Sequence, residues 1–412
     1  LLTGTTRSSG ARVCLTVELV DAEDQVCLWT DSYDHEVSDP FAFQHEITRG
    51  IAESLKLELR PERLAAYERS RGHDTHAREA YLKGRYYWCG RTEASLRKSM
   101  AYFREAIAAD PRHALAHVGL AESYIVMGNW GMLAPEDAIT FARNAVLHAL
   151  DINPQLAEAH ASLGWIRFAH DRDWPASAHE FELVSKLNPN YVTGPHWHAY
   201  SLAALGEFDR ALTLNRHALL IDPLSLPANA VRGWLLFLAG RYEQAIEQCK
   251  ATVELDPMHW LGHIYLATAY TAKQQHANAI VEYEIARECS SDLPMIIACS
   301  GHGYAAAGDF AAAQRVLDEI AVIRKTRYVP SYWVALTYAA LSVGDEAFEW
   351  LQRAYDERGN WVAYMNVDPR LAHLRADPRF QALVNKLHLP PIEAVQTKAG
   401  TAVRTENCLA PA

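Results

Sequence analysis

Five Asp-Pro or Asn-Pro pairs, Asp110-Pro111, Asn153-Pro154, Asn188-Pro189, Asp222-Pro223 and Asp256-Pro257, follow one another at spacings of 43, 35, 34 and 34 residues. A period near 34 constrains the chain more than any other feature, because it demands a stack of similar supersecondary units in place of one layered core. Other positions keep the same phase. Twelve residues before each proline stands a small residue (Ser99, Ala142, Ser177, Ala211, Ala245), and eight before stands a bulky one at Phe103, Val146 and Phe181. The phase outlasts the prolines. It continues through Tyr270, Ala279, Tyr283 and Ala286, then Gly301, Tyr304, Gly308 and Ala313, then Ala335, Tyr338, Ala347, Leu351 and Ala354.

These positions resemble the tetratricopeptide repeat, and the resemblance covers about eight units over residues 78–359. Physical chemistry agrees with it. Gly164, Ala199, Gly233 and Ala267 are small enough for the two helices of a unit to approach closely. Gly206, Gly240 and Gly308 end one helix and let the next begin, and the proline stops the second helix. Each hairpin cannot bury its apolar face alone, so stacking gives a mainly α solenoid with a concave groove. Coupling in such an array is mainly between neighbours, so unfolding is expected to spread along it. The first unit, with Gly84 and Tyr86-Tyr87-Trp88, fits poorly, as terminal repeats do. The second carries about nine extra residues, Gly128 to Glu136, read as a long loop at one rim, either a recognition loop or a plain extension.

Before the repeats, Val13, Leu15, Val17 and Leu19 alternate with polar or small residues, the period of a half-buried strand, and residues 26–33 read as a second strand that completes a hairpin. Asp39-Pro40 is a helix start, with Phe43, Ile47, Ile51 and Leu55 on one face of a helix to about Leu59. Residues 1–60, through Leu2-Thr3-Gly4, Leu28-Trp29 and Phe41-Ala42-Phe43-Gln44-His45-Glu46-Ile47, resemble the last portion of a TolB-like α+β domain. Such domains are joined to tetratricopeptide repeats in bacterial winged-helix transcriptional regulators and class III adenylate cyclases. The resemblance implies a regulatory polypeptide whose effector domain, and the rest of the TolB-like domain, precede Leu1; as it stands, the hairpin is expected to have unpaired outer edges. Residues 61–77 read as a linker. Asp368-Pro369-Arg370-Leu371 and Asp377-Pro378-Arg379-Phe380 each open a helix in a capping region, residues 360–389, expected to cover the apolar end of the stack; residues 390–412 read as a disordered tail.

Composition narrows the chemistry. A net charge of −11 is opposite to what a duplex-binding surface needs, so direct nucleic-acid binding by this region is not expected. Seven scattered cysteines without a Cys-x-x-Cys pair suggest neither a disulfide framework nor a zinc ribbon, and point to a reducing, cytoplasmic compartment. No apolar run reaches the 18 or more residues of a membrane span. His259 and His263 share a helix face, but His113 and His117 occupy the same two repeat positions, so repetition explains the pair better than a metal site does; His196 and His198 point to opposite sides. Ser300 lies in Ser-Gly-His-Gly, where Ala298 breaks the nucleophile-elbow frame, and no phosphate-binding glycine loop occurs. The expectation is a chain without catalytic residues, metal or cofactor.

In the tetratricopeptide family, ligand contacts come from the first helix of each pair, near its second, fifth, ninth and twelfth positions. By that register the resemblance assigns Trp165, Phe168, His196, Tyr200, Trp234, Phe237, Thr271 and His302 to a ligand groove. Such an aromatic, weakly charged groove suits an extended apolar or aromatic segment, although the same rings are placed to pack against the neighbouring repeat. The expected function is a protein-interaction and signal-sensing module of a bacterial regulator, binding a protein, a peptide or a sister effector domain. The alternative is the regulatory portion of an adenylate cyclase or of a winged-helix transcription regulator.

Overall fold

The computed structural model describes residues 2–9, 12–20, 27–36 and 75–391. The expected helix from Asp39 to Leu59, most of the linker and the tail beyond residue 391 lie outside them. At the N-terminal end three strands, β1 (Leu2–Ser9), β2 (Arg12–Val20) and β3 (Cys27–Glu36), form an antiparallel meander with β2 in the centre. This corrects the expected two-strand hairpin: β2 pairs on both edges, with Ser9 opposite Arg12 and Leu15 opposite Tyr33. β1 reads Leu-Thr-Gly-Thr-Thr-Arg-Ser-Ser, whose threonines favour a strand but give no apolar alternation to detect. On β2, Val17 is buried, while the hydroxyls of Thr16 and Ser32 meet across the β2–β3 pair at 3.0 Å.

From Thr75 the described chain is helical. Eight hairpins follow one another: α1 (Thr75–Cys89) and α2 (Glu93–Ala109); α3 (Ala114–Asn129) and α4 (Pro135–Ile152); α5 (Ala157–Ile166) and α6 (Trp174–Leu187); α7 (Thr193–Ala204) and α8 (Phe208–Ile221); α9 (Leu226–Leu238) and α10 (Tyr242–Leu255); α11 (Trp260–Ala272) and α12 (His276–Cys289); α13 (Pro294–Ala306) and α14 (Phe310–Ile323); α15 (Ser331–Ala340) and α16 (Gly344–Asp356). Two 3-10 turns, Asn360–Tyr364 and Pro369–Leu374, and a last helix, α17 (Pro378–Lys386), complete it.

The repeat signature has a local cause. Each Asp or Asn of the Asp/Asn-Pro pairs ends a second helix in extended or near-extended backbone, and its Oδ1 accepts the backbone N–H two residues on, from Arg112, Gln155, Asn190, Leu224 and Met258. That side-chain turn redirects the chain while proline forbids further helix. Six residues after the proline, the side chain of His117, His160, Asn229 or His263 bonds back to the proline carbonyl at 2.9–3.0 Å. Inside the units the small positions are fully buried, and Ser99 and Ser177 donate to the carbonyls of Gly84 and Gly164 at 2.8 Å. Gly206, Gly240 and Gly308 take φ of 74°, 74° and 81° between paired helices, a conformation open to glycine at no steric cost.

Two departures from the 34-residue period are absorbed inside helices. The 35-residue spacing contains a π-helical turn, Arg167–Asp171, that extends α5 by the extra residue and closes on Arg172 at φ 58°. The 43-residue spacing lengthens α3 and α4 to 16 and 18 residues, against 13 and 14 in α9 and α10. Only residues 130–134 remain as a loop, and it turns inward rather than forming a long rim. Gly131, at φ 73°, sits where a Cβ would lie 2.7 Å from the Pro330 ring.

That contact reflects closure of the superhelix. Arg327, in the loop after α14, reaches Glu93 at the start of α2 at 3.2 Å, and Arg172 donates to the carbonyl of Tyr355 at 2.8 Å. α17 packs on α16 with Phe380, Leu383 and Val384 buried. The segment before α17 does not extend the stack at its end: it enters the concave face.

Candidate functional site in the concave face

The first helices of the hairpins line the concave face, and the segment from Asn360 to Leu374 fills it. The Trp361 indole donates to the carbonyl of Asn129 at 2.8 Å and packs against Trp130, Trp234 and Trp333 at centroid separations of 5.5, 6.2 and 5.0 Å. Tyr364 sits between Phe168 and Trp234, and its hydroxyl donates to the carbonyl of Tyr200 at 3.3 Å. Both rings are buried, and each contributes roughly 4 to 6 kcal/mol of gross apolar burial at 150–250 Å² per aromatic side chain.

Beyond them, Asp368 and Arg370 form a buried ion pair at 2.7 Å. Asp368 also caps the second 3-10 turn through the Arg370 N–H and accepts from the Tyr332 hydroxyl at 2.8 Å. Burial disfavours its charge, yet the Arg370 guanidinium and these hydrogen bonds hold the carboxyl below its ordinary range. The guanidinium lies over Trp234, Phe237 and Trp333 at 5.4, 5.6 and 5.0 Å, so its planar faces are covered by rings.

The eight groove positions read from sequence are all buried. Trp165 packs on Phe168, Trp197 and Tyr200 and donates to Asn129 Oδ1 at 3.2 Å. Trp234 stacks between Phe237 and Tyr265 and meets both Trp361 and Tyr364. His196 lies edge-on to Tyr200, and burial together with the Arg91 charge pushes its pKa down to about 3. His302 falls to about 3 through burial and the charge of Arg370. Thr271 turns its hydroxyl to the carbonyl of Ala267 at 2.8 Å. Trp165 and Trp234 thus contact neighbouring repeats, and Phe168, Tyr200, Trp234 and Phe237 contact the chain's own residues 361–370.

Sequence reasoning held Trp130 only as part of the inserted stretch 128–136 and missed Trp333, Trp361, Tyr364 and Arg370. The run Trp-Val-Ala-Tyr-Met at residues 361–365, apolar yet off the repeat phase, was the available signal. The other sequence candidates are engaged elsewhere. His263 uses both ring nitrogens, on Glu282 and the Pro257 carbonyl, at 2.6 and 2.9 Å. His198 stacks on Phe181, away from His196. Ser300 donates to Ile297 O at 2.8 Å within α13.

A superhelix of helical hairpins with an aromatic concave face is the class that this fold and site define. The family profile described as tetratricopeptide repeat matches residues 198–257 and 231–294, so the hairpins from α7 to α12 carry the signature of that repeat and the other hairpins share their helix-turn-helix form. The transcriptional regulator HilA of Salmonella typhimurium is 22% identical over 177 residues, 43% of this chain and 26% of HilA. Putative adenylate cyclase 3 of Rhizobium meliloti is 25% identical over 174 residues, 40% of this chain and 29% of that protein. The matches thus span under a third of the length of these relatives. A chain of the APC/C hetero-tetramer Cut9–Hcn1 superposes with a TM-score of 0.51 at 15% identity, covering 75% of this chain and 55% of that one, and so shares the fold.

Proposed function

We propose that this chain is the protein-interaction and signal-sensing repeat module of a bacterial regulatory protein. Its aromatic concave groove, including Trp165, Phe168, His196, Tyr200, Trp234, Phe237, Thr271 and His302, is the recognition surface. The observation that carries the reading is the groove's present occupant: residues 360–374 of the same chain lie there as two 3-10 turns, with Trp361, Tyr364 and Arg370 as anchors. A surface that accepts such a segment from its own chain has the chemistry to accept one from a partner or a sister domain, and competition between the two provides a switch. The likeness to HilA and to a putative adenylate cyclase supports a regulatory setting, with transcription or cyclic-nucleotide synthesis as the output of an effector outside this chain. The TolB-like resemblance of residues 1–60 supports the same setting, and the charge of −11 supports a protein or peptide partner over nucleic acid.

A labelled peptide of residues 360–389 tests the reading. Fluorescence anisotropy is expected to show no binding to the intact chain and saturable binding to the Trp361→Ala/Tyr364→Ala variant, whose own segment is weakened. A variant that keeps its helical circular dichroism and does not bind the peptide contradicts the groove as a recognition surface.

A further inference from the structure

The 34-residue phase puts His198, Arg232, Leu266, Ser300 and Val334 at one position of successive first helices, and of these five only Arg232 brings a fixed charge. Its side chain stands on the floor of an open groove of about 660 Å³ on the outer face, where α8 and α10 form the walls and α9 the floor. The lining is apolar at Leu212 and Leu236 and amide-bearing at Gln244 and Gln248. A bridge between Asp209 and Arg241, at 2.9 Å, spans the groove where α8 and α10 begin.

Two guanidiniums in this groove lack a counter-ion. Arg241 is spent on Asp209, whereas Arg216 on α8 and Arg232 on α9 have no ion-pair partner among the described residues. Burial first, and then the charges of Arg216 and Arg241, push the pKa of half-buried Arg232 below the ordinary arginine value, with no carboxylate acting against them. Three arginines against the carboxylates of Asp209 and Glu247 leave the groove at +1, on a chain whose total is −11. An incoming carboxylate relieves the repulsion between Arg216 and Arg232 and meets planar donor forks that suit it. Farther along its axis the groove changes character. One helical turn beyond Arg216 stands Leu220, and one turn beyond Ala251 stands Leu255, 75% and 49% exposed.

We propose that this outer groove is a docking surface for an acidic segment of a partner protein, its carboxylates on Arg216 and Arg232 and a following apolar residue on Leu220 and Leu255. Charge complementarity selects the acidic part, and the two exposed leucines select a polypeptide over a free anion. Glu247 on the α10 wall opposes a phosphoryl group, which concentrates up to two negative charges beside it, whereas a peptide spreads its charges along the groove. The surface lies on the opposite side of the hairpins from residues 360–374, so docking here leaves the concave face and its internal segment in place. It goes beyond the concave-face reading and stands without it.

The test uses the full chain and the fluorescence anisotropy of a labelled Gly-Glu-Asp-Glu-Leu-Leu-Gly peptide, with Gly-Gln-Asn-Gln-Leu-Leu-Gly as its neutral control. Saturable binding of the acidic peptide, at least about tenfold weaker for the control and at least about tenfold weaker in Arg216→Gln/Arg232→Gln, is the expected result. Arg216→Gln alone, at an exposed position, is expected to weaken binding at least about threefold, a readout that survives if the double variant fails to fold. Leu220→Ser/Leu255→Ser is expected to weaken it as well, and Trp361→Ala/Tyr364→Ala to leave it unchanged. Equal binding of the two peptides, no saturable binding, or an equal loss in Arg315→Gln, at an exposed arginine on α14, overturns the proposal. Displacement of the peptide by inorganic phosphate at or below the peptide's own Kd overturns the choice of a polypeptide. Arginine-dependent binding of the acidic peptide with no trans binding of the 360–389 peptide removes the concave groove and leaves this surface; the reverse outcome removes this surface alone.

Discussion

The same local motif occurs twice near the C-terminus with opposite weight. In Asp368-Pro369-Arg370 and Asp377-Pro378-Arg379 the arginine folds back on the aspartate two residues before it, at 2.7 and 2.8 Å, but the first pair is buried and the second exposed. Removing one partner of a buried pair strands the other charge, so Arg370→Ala is expected to cost about 3–5 kcal/mol, while Arg379→Ala, screened by water, is expected to leave stability nearly unchanged. Asp368→Ala/Arg370→Ala removes both charges and is expected to recover part of the loss; urea denaturation of the three variants measures it. Buried histidines set a pH dependence. His196 and His302 fall to about 3, and His198 and His259 to about 4, with burial the first cause in each. The unfolded chain therefore binds more protons than the folded one below about pH 6.5, so stability is complete above that value and falls as pH drops toward 3. His263, raised by Glu282 against the effect of burial, opposes this: its contribution is full below about pH 6.5 and fades as pH rises through its raised value. The melting temperature is expected to drop between pH 7 and 4.5, and His302→Met to shallow the drop; an unchanged slope in a folded His302→Met chain contradicts the assignment.

At the scale of elements, close helix approach depends on glycine where the partner is bulky. A Cβ at Gly233 on α9 would overlap Cys249 Sγ on α10, whereas at Gly240 it would meet nothing and only the positive φ objects. Gly240→Ala is expected to cost about 1 kcal/mol and Gly233→Ala about 1–3 kcal/mol, with Cys249→Ala partly rescuing the second only. Thermal melts of the single and paired variants check this. The hairpins were legible in sequence because each Asp/Asn-Pro turn, turn glycine and small buried position answers a requirement within one unit. The 35- and 43-residue spacings were legible as irregularities, but their form was not: a π-helical turn and two longer helices have the same residue count as a loop. β1 escaped because its threonines and serines give no apolar alternation.

For the whole molecule, the sequence placed buried aromatic positions on the first helices and did not show the segment packed against them. Trp361, Tyr364 and Arg370 reach Trp234 only because eight hairpins curve far enough for the ends of the array to meet, a property that no single unit carries. This closure also changes the expected unfolding. Neighbour-only coupling predicts unfolding spread along the array, whereas contacts such as Arg327 with Glu93 and Tyr364 with Tyr200 join distant repeats and favour one cooperative transition. Tyr364→Ala is then expected to broaden or split the urea transition; curves of equal width contradict the coupling. The most direct test of the internal occupant is native-state hydrogen exchange at the amides of Met365, Val367, Asp368 and Leu371, which bond within the segment. The account predicts protection comparable to that of α9, since both belong to one buried core. Exchange of those four amides at the rate of an unstructured peptide, with α9 still protected, would contradict it.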